Sequence, residues 1–126
     1  MAIEQQRQTG LSYGVGSLRT LDWVAIALAT VTGVTHLYLY TTEDWLPFLL
    51  AGAGFFGAIA LLVALPRYRH WLYPLGALFV LSQIVGYLLL PLGPLWLGVL
   101  DKVIQVALIA VLAQLFRTSG ERDYAA

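Results

Sequence analysis

Four long apolar stretches, separated by short polar turns, dominate the pattern of this chain. Each stretch has about 20 residues, the length that a helix needs to cross the hydrocarbon core of a bilayer. The pattern predicts helices at about residues 21–40, 45–65, 71–90 and 94–116. Pro66 and the segment Pro91-Leu92-Gly93-Pro94 fall at their boundaries, where proline ends one helix or begins the next. We therefore predict an all-α membrane protein, a four-helix bundle that runs up-down-up-down.

The composition supports a membrane protein and excludes several classes of function. Of the 126 residues, 60% are hydrophobic and only 11% are charged, too few charges for the surface of a small soluble domain. The formal net charge of +0 gives no electrostatic basis for binding nucleic acid. Because the chain has no cysteine, disulfides, thiol nucleophiles and thiolate metal sites are excluded.

The distribution of arginine predicts the orientation in the membrane. Short turns force the helices to alternate, so the polar tails at 1–20 and 117–126 share one side with the turn at 66–70. That side carries Arg7, Arg19, Arg67, Arg69, Arg117 and Arg122. The opposite side carries Glu43 and Asp44, with no lysine or arginine in its turns. By the positive-inside rule we expect a multi-pass protein of the cell membrane with both termini cytoplasmic.

One tryptophan stands near the start of each predicted helix. These residues are Trp23, Trp45, Trp71 and Trp96. Indole rings prefer the level of the lipid headgroups, so we expect all four to act as interfacial anchors of the bilayer. Arg67 and Arg69 are expected to contact anionic headgroups in the same region.

A few polar residues interrupt the apolar stretches. Asp101 and Gln105 lie one turn apart on helix 4, and Thr32, His36 and Tyr40 form a stripe on helix 1. Together with a glutamine of helix 3, they are predicted to line a polar pocket in the outer half of the bundle. The residues of this predicted pocket are His36, Asp101, Gln83, Gln105, Thr32 and Tyr40. An ionisable group at this depth usually faces protein or a water-filled cavity, because lipid cannot solvate it.

For each of these residues a structural role is the alternative. His36 is then a neutral imidazole bonded to a neighbouring side chain, and Asp101 is a link between helices. Lys102 is expected to extend toward the outer headgroups. His36 and His70 lie at opposite faces of a ~30 Å core, which excludes their joint ligation of one haem within a protomer. Haem bound through His36 alone stays open.

Helix 2 contains small residues four positions apart. The two pairs are Ala53 with Gly57 and Gly54 with Ala58. Small residues allow the backbones of two helices to approach closely. We expect this face either to pack tightly within the monomer or to associate with a second copy or a membrane partner, and of these we favour a homo-oligomer.

Two segments are similar to uncharacterised small four-helix membrane proteins of halophilic archaea. The first is Gly33-Val34-Thr35-His36-Leu37-Tyr38, within the span from Trp23 to Tyr40. The second is Leu100-Asp101-Lys102-Val103-Ile104-Gln105-Val106. The resemblance covers the membrane region loosely. It implies a location in the cell membrane and carries no established activity.

These observations lead to three functional hypotheses. The first is a non-enzymatic membrane module whose outer pocket binds a small or lipidic ligand, such as a quinone or isoprenoid, or relays a proton. A mostly apolar pocket with few polar groups suits such a ligand. The second is a structural or accessory subunit of a larger membrane complex. The third is a homo-oligomeric transporter or channel.

Overall fold

Four long helices make up most of the described chain. The computed structural model describes residues 13–125, with side chains as far as residue 119. Over this range the helices are α1 (Thr20–Glu43), α2 (Leu46–Ala64), α3 (Arg69–Leu89) and α4 (Leu95–Ala125). A 3-10 turn at Pro66–Tyr68 joins α2 to α3, and residues 13–16 form a short helical turn. The described residues contain no strand.

All four long helices are long and apolar enough to cross a membrane. Their most apolar windows have mean hydropathies between 1.4 and 2.2. The prediction of an all-α protein with four such helices is therefore confirmed. The apolar pattern is sufficient for this result because every backbone polar group in a bilayer must be satisfied within the spanning segment itself.

Two helices are longer than the pattern predicted. α1 continues through Thr41 and Thr42, whose hydroxyls donate to backbone carbonyls three residues earlier. The chain leaves this helix at Asp44, where φ is +50°. α4 continues from the predicted end at Phe116 to Ala125, so residues 117–125, predicted as a tail, extend the helix. The sequence offers no proline in this stretch to stop it.

Part of the predicted N-terminal tail packs on the bundle. Residues 1–12 of the predicted tail, including Arg7, lie outside the described range, as does the side chain of Arg122. From residue 13 onward the segment packs on the bundle: Leu18 is buried in the core, and Gly14 lies against the backbone of Val63. The packed part of the chain thus begins before residue 21, the predicted start of helix 1.

The helices pack unevenly. α1 lies against both α2 and α4, and α3 lies against α4, whereas α2 and α3 touch little. Glycine allows α1 and α2 to approach closely, since a Cβ at Gly52 would lie 2.6 Å from the side chain of Leu37 and 3.1 Å from the carbonyl oxygen of Gly33. The innermost apolar side chains are Phe55, Leu108 and Leu115. This arrangement places the polar face of α1 against α4 and leaves a groove between α2 and α3.

Candidate functional site

Asp101 is the centre of a polar cluster between α1 and α4. The residue is only 2% exposed. Its Oδ1 accepts a hydrogen bond from Thr32 Oγ1 at 2.6 Å, and its Oδ2 accepts one from Lys102 Nζ at 2.8 Å. Both carboxylate oxygens therefore have partners, as a charge buried away from water requires.

Gln105 closes this cluster into a ring of four side chains. Its Nε2 donates to Thr32 Oγ1 at 3.1 Å, and its Oε1 accepts from Lys102 Nζ at 2.9 Å. Thr32 and Gln105 are completely buried. Because Thr32 comes from α1 and the other three residues from α4, the ring fixes the rotation and the height of one helix relative to the other.

Lys102 was predicted to extend to the headgroups, and that prediction is wrong. Its ammonium instead forms the salt bridge to Asp101 and lies 5.2 Å from the centre of the Tyr87 ring. The two α-carbons are about 100° apart around the helix, but the flexible four-carbon stem of lysine spans that angle. Neutralising an acid in an apolar environment outweighs the gain from reaching water.

The imidazole of His36 lies beside this ring with a defined hydrogen-bonding pattern. Its Nδ1 is 2.7 Å from the backbone oxygen of Thr32. A carbonyl oxygen only accepts, so Nδ1 carries the hydrogen, and in the neutral ring Nε2 is left as an acceptor. The imidazole packs against the rings of Phe48 and Phe55, with centroids 6.0 and 5.4 Å away. No direct hydrogen bond joins His36 to Asp101 within the described chain; Thr32 lies between them.

A cavity of about 210 Å³ adjoins this cluster. Its polar and aromatic lining includes His36, Gln83, Asp101, Lys102, Trp45 and Tyr87. Among the described residues, no enclosed side-chain nitrogen or oxygen lacks a hydrogen-bond partner. His36 lines this cavity, and its Nε2 forms no hydrogen bond with the described residues. We call this space the upper cavity.

The other predicted pocket residues are placed differently. Gln83 lines the upper cavity, but its Nε2 donates to Ser82 Oγ at 3.3 Å rather than to the ring around Asp101. Tyr40 is half-buried, does not line the cavity, and its hydroxyl forms no hydrogen bond with the described residues. The structure thus brings together Thr32, His36, Asp101 and Gln105.

A second polar cluster, at the opposite end of the bundle, was not predicted. Asp22 is 1% exposed. Its Oδ1 accepts a hydrogen bond from the Tyr73 hydroxyl at 2.6 Å, and its Oδ2 accepts from the backbone N–H of Arg19 at 2.9 Å. Placement of an acid in the first turn of a helix was visible in the sequence. Its contact with a tyrosine 51 residues away was not, because that contact depends on how α3 packs.

Arg69 belongs to the same end of the molecule and was predicted to contact lipid headgroups. It is instead 8% exposed. Its guanidinium donates to the backbone oxygen of Leu62 at 2.7 Å, to Ser17 Oγ at 2.7 Å and to the backbone oxygen of Gly14 at 2.8 Å. The planar guanidinium has several donors at fixed angles, so it can bind these acceptors together. It thereby joins α3 to α2 and to the N-terminal segment. Arg67 is exposed, as a headgroup contact needs to be.

A larger apolar groove lies between α2 and α3. Its volume is about 590 Å³, and it is lined almost entirely by apolar side chains. The small residues Gly54, Gly57 and Ala58 form part of its wall, and Ala53 is exposed nearby. Gly54 is packed against Phe79, whereas a Cβ at Gly57 would meet no described atom within 4 Å. We call this space the lateral groove; association through this face of α2 stays a prediction.

The tryptophans have the exposure that an interfacial anchor needs. Trp23, Trp71 and Trp96 are each about half exposed or more, and Trp45 is 37% exposed. Trp45 also lines the upper cavity and packs edge-on against Phe48 at 5.2 Å. Contact of these rings with headgroups stays a prediction.

His36 on α1 and His70 on α3 lie next to distant parts of α4. His70 Nδ1 is 2.8 Å from Ser119 Oγ. Ser119 follows Asp101, which lies near His36, by 18 residues, or about 27 Å along α4. Both cannot bind one haem iron within a protomer. Among the described residues, no cluster of three potential ligands from His, Cys, Asp and Glu could hold a metal ion.

Comparisons with protein-family models, with curated proteins and with solved structures found no match. The similarity of two segments to small membrane proteins of halophilic archaea therefore stays a prediction. The case for a function depends on the geometry of the cavity and the groove.

Proposed function

We propose that this protein is a non-enzymatic ligand-binding module of the cell membrane, and that the upper cavity holds the polar part of the ligand. The observation that carries the proposal is the pair of polar groups on the cavity wall. His36 offers an acceptor through Nε2, and Lys102 offers a cationic donor. A few polar groups in a mostly apolar wall are typical of small-molecule sites.

The size and chemistry of the cavity favour a small ring with oxygen substituents. Its volume of about 210 Å³ is below the roughly 300–1,000 Å³ of pockets for drug-sized ligands. A hydroxyl can donate to His36 Nε2, and an oxygen can accept the third N–H of Lys102, whose other two are used by Asp101 and Gln105. A hydroquinone ring meets both requirements, whereas a quinone, whose oxygens only accept, meets only the one at Lys102. A proton relay would use the same residues, with Thr32 between His36 and Asp101.

Exchange of one histidine ring tests this proposal. His36→Phe keeps a planar ring between Phe48 and Phe55 but removes the Nε2 acceptor. With hydroquinone as the probe and the full chain in lipid nanodiscs, calorimetry should show an affinity about tenfold lower, the loss of one well-made hydrogen bond.

His70→Phe is the matched control, because His70 stacks on Phe116 at the other end of the bundle. It should leave hydroquinone binding unchanged. Failure of the wild-type protein to bind hydroquinone, or an equal loss in both variants, would contradict the proposed site. Native mass spectrometry of the purified protein would identify any small molecule that accompanies it.

The orientation that we propose is an up-down-up-down bundle with both termini cytoplasmic. Cross-helix contacts support this order, since Arg19 at the start of α1 donates to Leu115 late in α4, and His70 at the start of α3 stacks on Phe116. The described arginines near this end are Arg19, Arg67, Arg69 and Arg117. Because the cytoplasmic loops of membrane proteins carry an excess of lysine and arginine, we expect this end of the bundle to face the cytoplasm. Accessibility of cysteines introduced at positions 43 and 67 to an impermeant thiol reagent in whole cells tests it.

A structural or accessory subunit is the second candidate, and one observation favours it. Every enclosed side-chain nitrogen and oxygen of the described residues is hydrogen-bonded, which is what a purely structural polar layer requires. Under this alternative Asp101→Asn disturbs folding and assembly while no ligand is found. Under the first proposal the same variant changes hydroquinone affinity in protein that still folds.

A further inference from the structure

The upper cavity and the lateral groove are neighbours along α3. Gln83 lines the cavity, and Phe79, one turn away on the same face, lines the groove. Four residues of helix correspond to about 6 Å. The two spaces thus follow one another along the bundle, the polar one first and the apolar one behind it.

Aromatic rings in mutual contact line the adjoining parts of the two spaces. The rings of Phe55 and Phe79 are 4.9 Å apart, and Phe55 is 5.4 Å from the imidazole of His36. Phe79 lies directly against the backbone of α2 at Gly54, where a Cβ would be only 2.7 Å from the ring. Phe79 is half-buried, whereas Phe55 is 2% exposed, so a chain that joined the two spaces would have to displace the ring of Phe79.

The groove has the form of a site for an apolar chain. On α2 it extends over nine residues, from Gly54 to Leu62, a length of about 12 Å of helix. It is open toward the outside of the bundle, between two helices that touch little. A chain that enters it displaces no polar contact, because the wall is almost entirely apolar.

We infer that the upper cavity and the lateral groove form one composite site for a single-chain amphiphile. Its oxygen-bearing ring lies beside His36 and Lys102, and its apolar chain passes Phe79 into the groove. This inference rests on the proposed function of the upper cavity and adds the chain and its location. The chemistry assigned to the ligand is therefore a ring with one hydroxyl, a second oxygen substituent and one alkyl or prenyl tail.

Two probes and two variants test the composite site. The probes are hydroquinone, which fits the cavity alone, and hexylhydroquinone, which carries an alkyl tail. Gly57→Leu fills the groove, because Gly57 lines it and has free space in front of its Cα. Ala60→Leu adds the same side chain on the exposed surface of α2 outside the groove. Affinities are measured by calorimetry with the full chain in lipid nanodiscs. Because every variant is measured in the same lipid, partition of the tail into the bilayer cancels when the variants are compared.

We expect Gly57→Leu to weaken hexylhydroquinone about tenfold, since the tail and the new side chain then compete for one space. Hydroquinone affinity should be unchanged in Gly57→Leu, and both affinities should be unchanged in Ala60→Leu. If Gly57→Leu binds both probes as the wild type does, the groove belongs to ordinary bilayer lipid, and the inference fails while the proposed function stands. If the wild type binds neither probe, the proposed function fails and the composite site with it.

Discussion

The molecule contains two buried acids, and the difference between their surroundings separates structure from candidate function. Asp22 and Asp101 are almost equally buried, at 1% and 2% exposure. Asp22 accepts from a tyrosine hydroxyl and from the backbone N–H before its own helix. Asp101 accepts from a threonine and from a lysine on the wall of a cavity.

The comparison teaches that burial of a charge does not by itself indicate a functional site. At the Asp22 end, the guanidinium groups of Arg19 and Arg69 bind atoms of the protein, and the result is a link between the N-terminal segment and all four helices. At the Asp101 end, His36 and Lys102 line the upper cavity, and each can form a further hydrogen bond. Spare hydrogen-bonding capacity next to a cavity is the feature that points to a ligand.

The largest effect on stability is expected at the structural end. Arg69→Ala removes three hydrogen bonds and leaves the carbonyl oxygen of Leu62 without its side-chain donor, whereas that of Gly14 keeps the Ser17 hydroxyl. We expect a loss of about 3 kcal/mol in the free energy of unfolding. The measurement is reversible unfolding in mixed micelles, followed by circular dichroism.

Arg67→Ala is the matched control for this variant, since Arg67 is the exposed neighbour with a cation–π contact to Tyr68 at 5.6 Å. Its cost should stay below about 0.5 kcal/mol. Similar losses in the two variants would mean that Arg69 also faces the headgroups, and the contrast between the two ends would disappear.

A medium effect is expected for Asp101→Asn, which leaves the ammonium of Lys102 without its counter-charge. We expect a loss of about 2 kcal/mol, because the remaining lysine is largely buried. The double variant Asp101→Asn with Lys102→Met should recover a large part of this loss, since an apolar side chain replaces the unpaired charge. Unfolding of the two single variants and the double variant forms a thermodynamic cycle that measures the pair.

Additive losses in that cycle would show that Asp101 and Lys102 do not interact. Hydroquinone affinity gives a second readout, and it should fall in Lys102→Met, which removes a donor from the cavity wall. An Asp22→Asn variant should leave the affinity at the wild-type value, because Asp22 lies at the other end of the bundle.

The smallest effect is expected for Tyr73→Phe, which removes one hydrogen bond to Asp22. The expected cost is about 1.5 kcal/mol, as for other hydrogen bonds to a charged partner. Tyr38→Phe is the control, since Tyr38 is exposed on α1. Tyr73→Phe should leave hydroquinone affinity unchanged; a decrease would show that the two polar ends are coupled through the bundle.

The existence of four apolar helices and the identity of several site residues could be predicted from the sequence. Runs of about 20 apolar residues can be read directly from the sequence. Because lipid offers no hydrogen-bond partners, the backbone of each run forms a helix, in which its N–H and C=O groups bond to each other. The spacing of Thr32 and His36 on one helix and of Asp101 and Gln105 on another likewise follows from the period of the helix. This periodicity was enough to expect a common polar level.

Only the tertiary structure decided which polar groups meet. Lys102 bends to Asp101, Arg69 binds three backbone and side-chain oxygens, and Tyr73 reaches Asp22 from another helix. These contacts depend on the rotation of each helix about its axis and on side-chain conformation, and neither is encoded in hydropathy. The spaces beside His36 and between α2 and α3 arise in the same way, since a cavity is what unequal packing of the helices leaves unfilled.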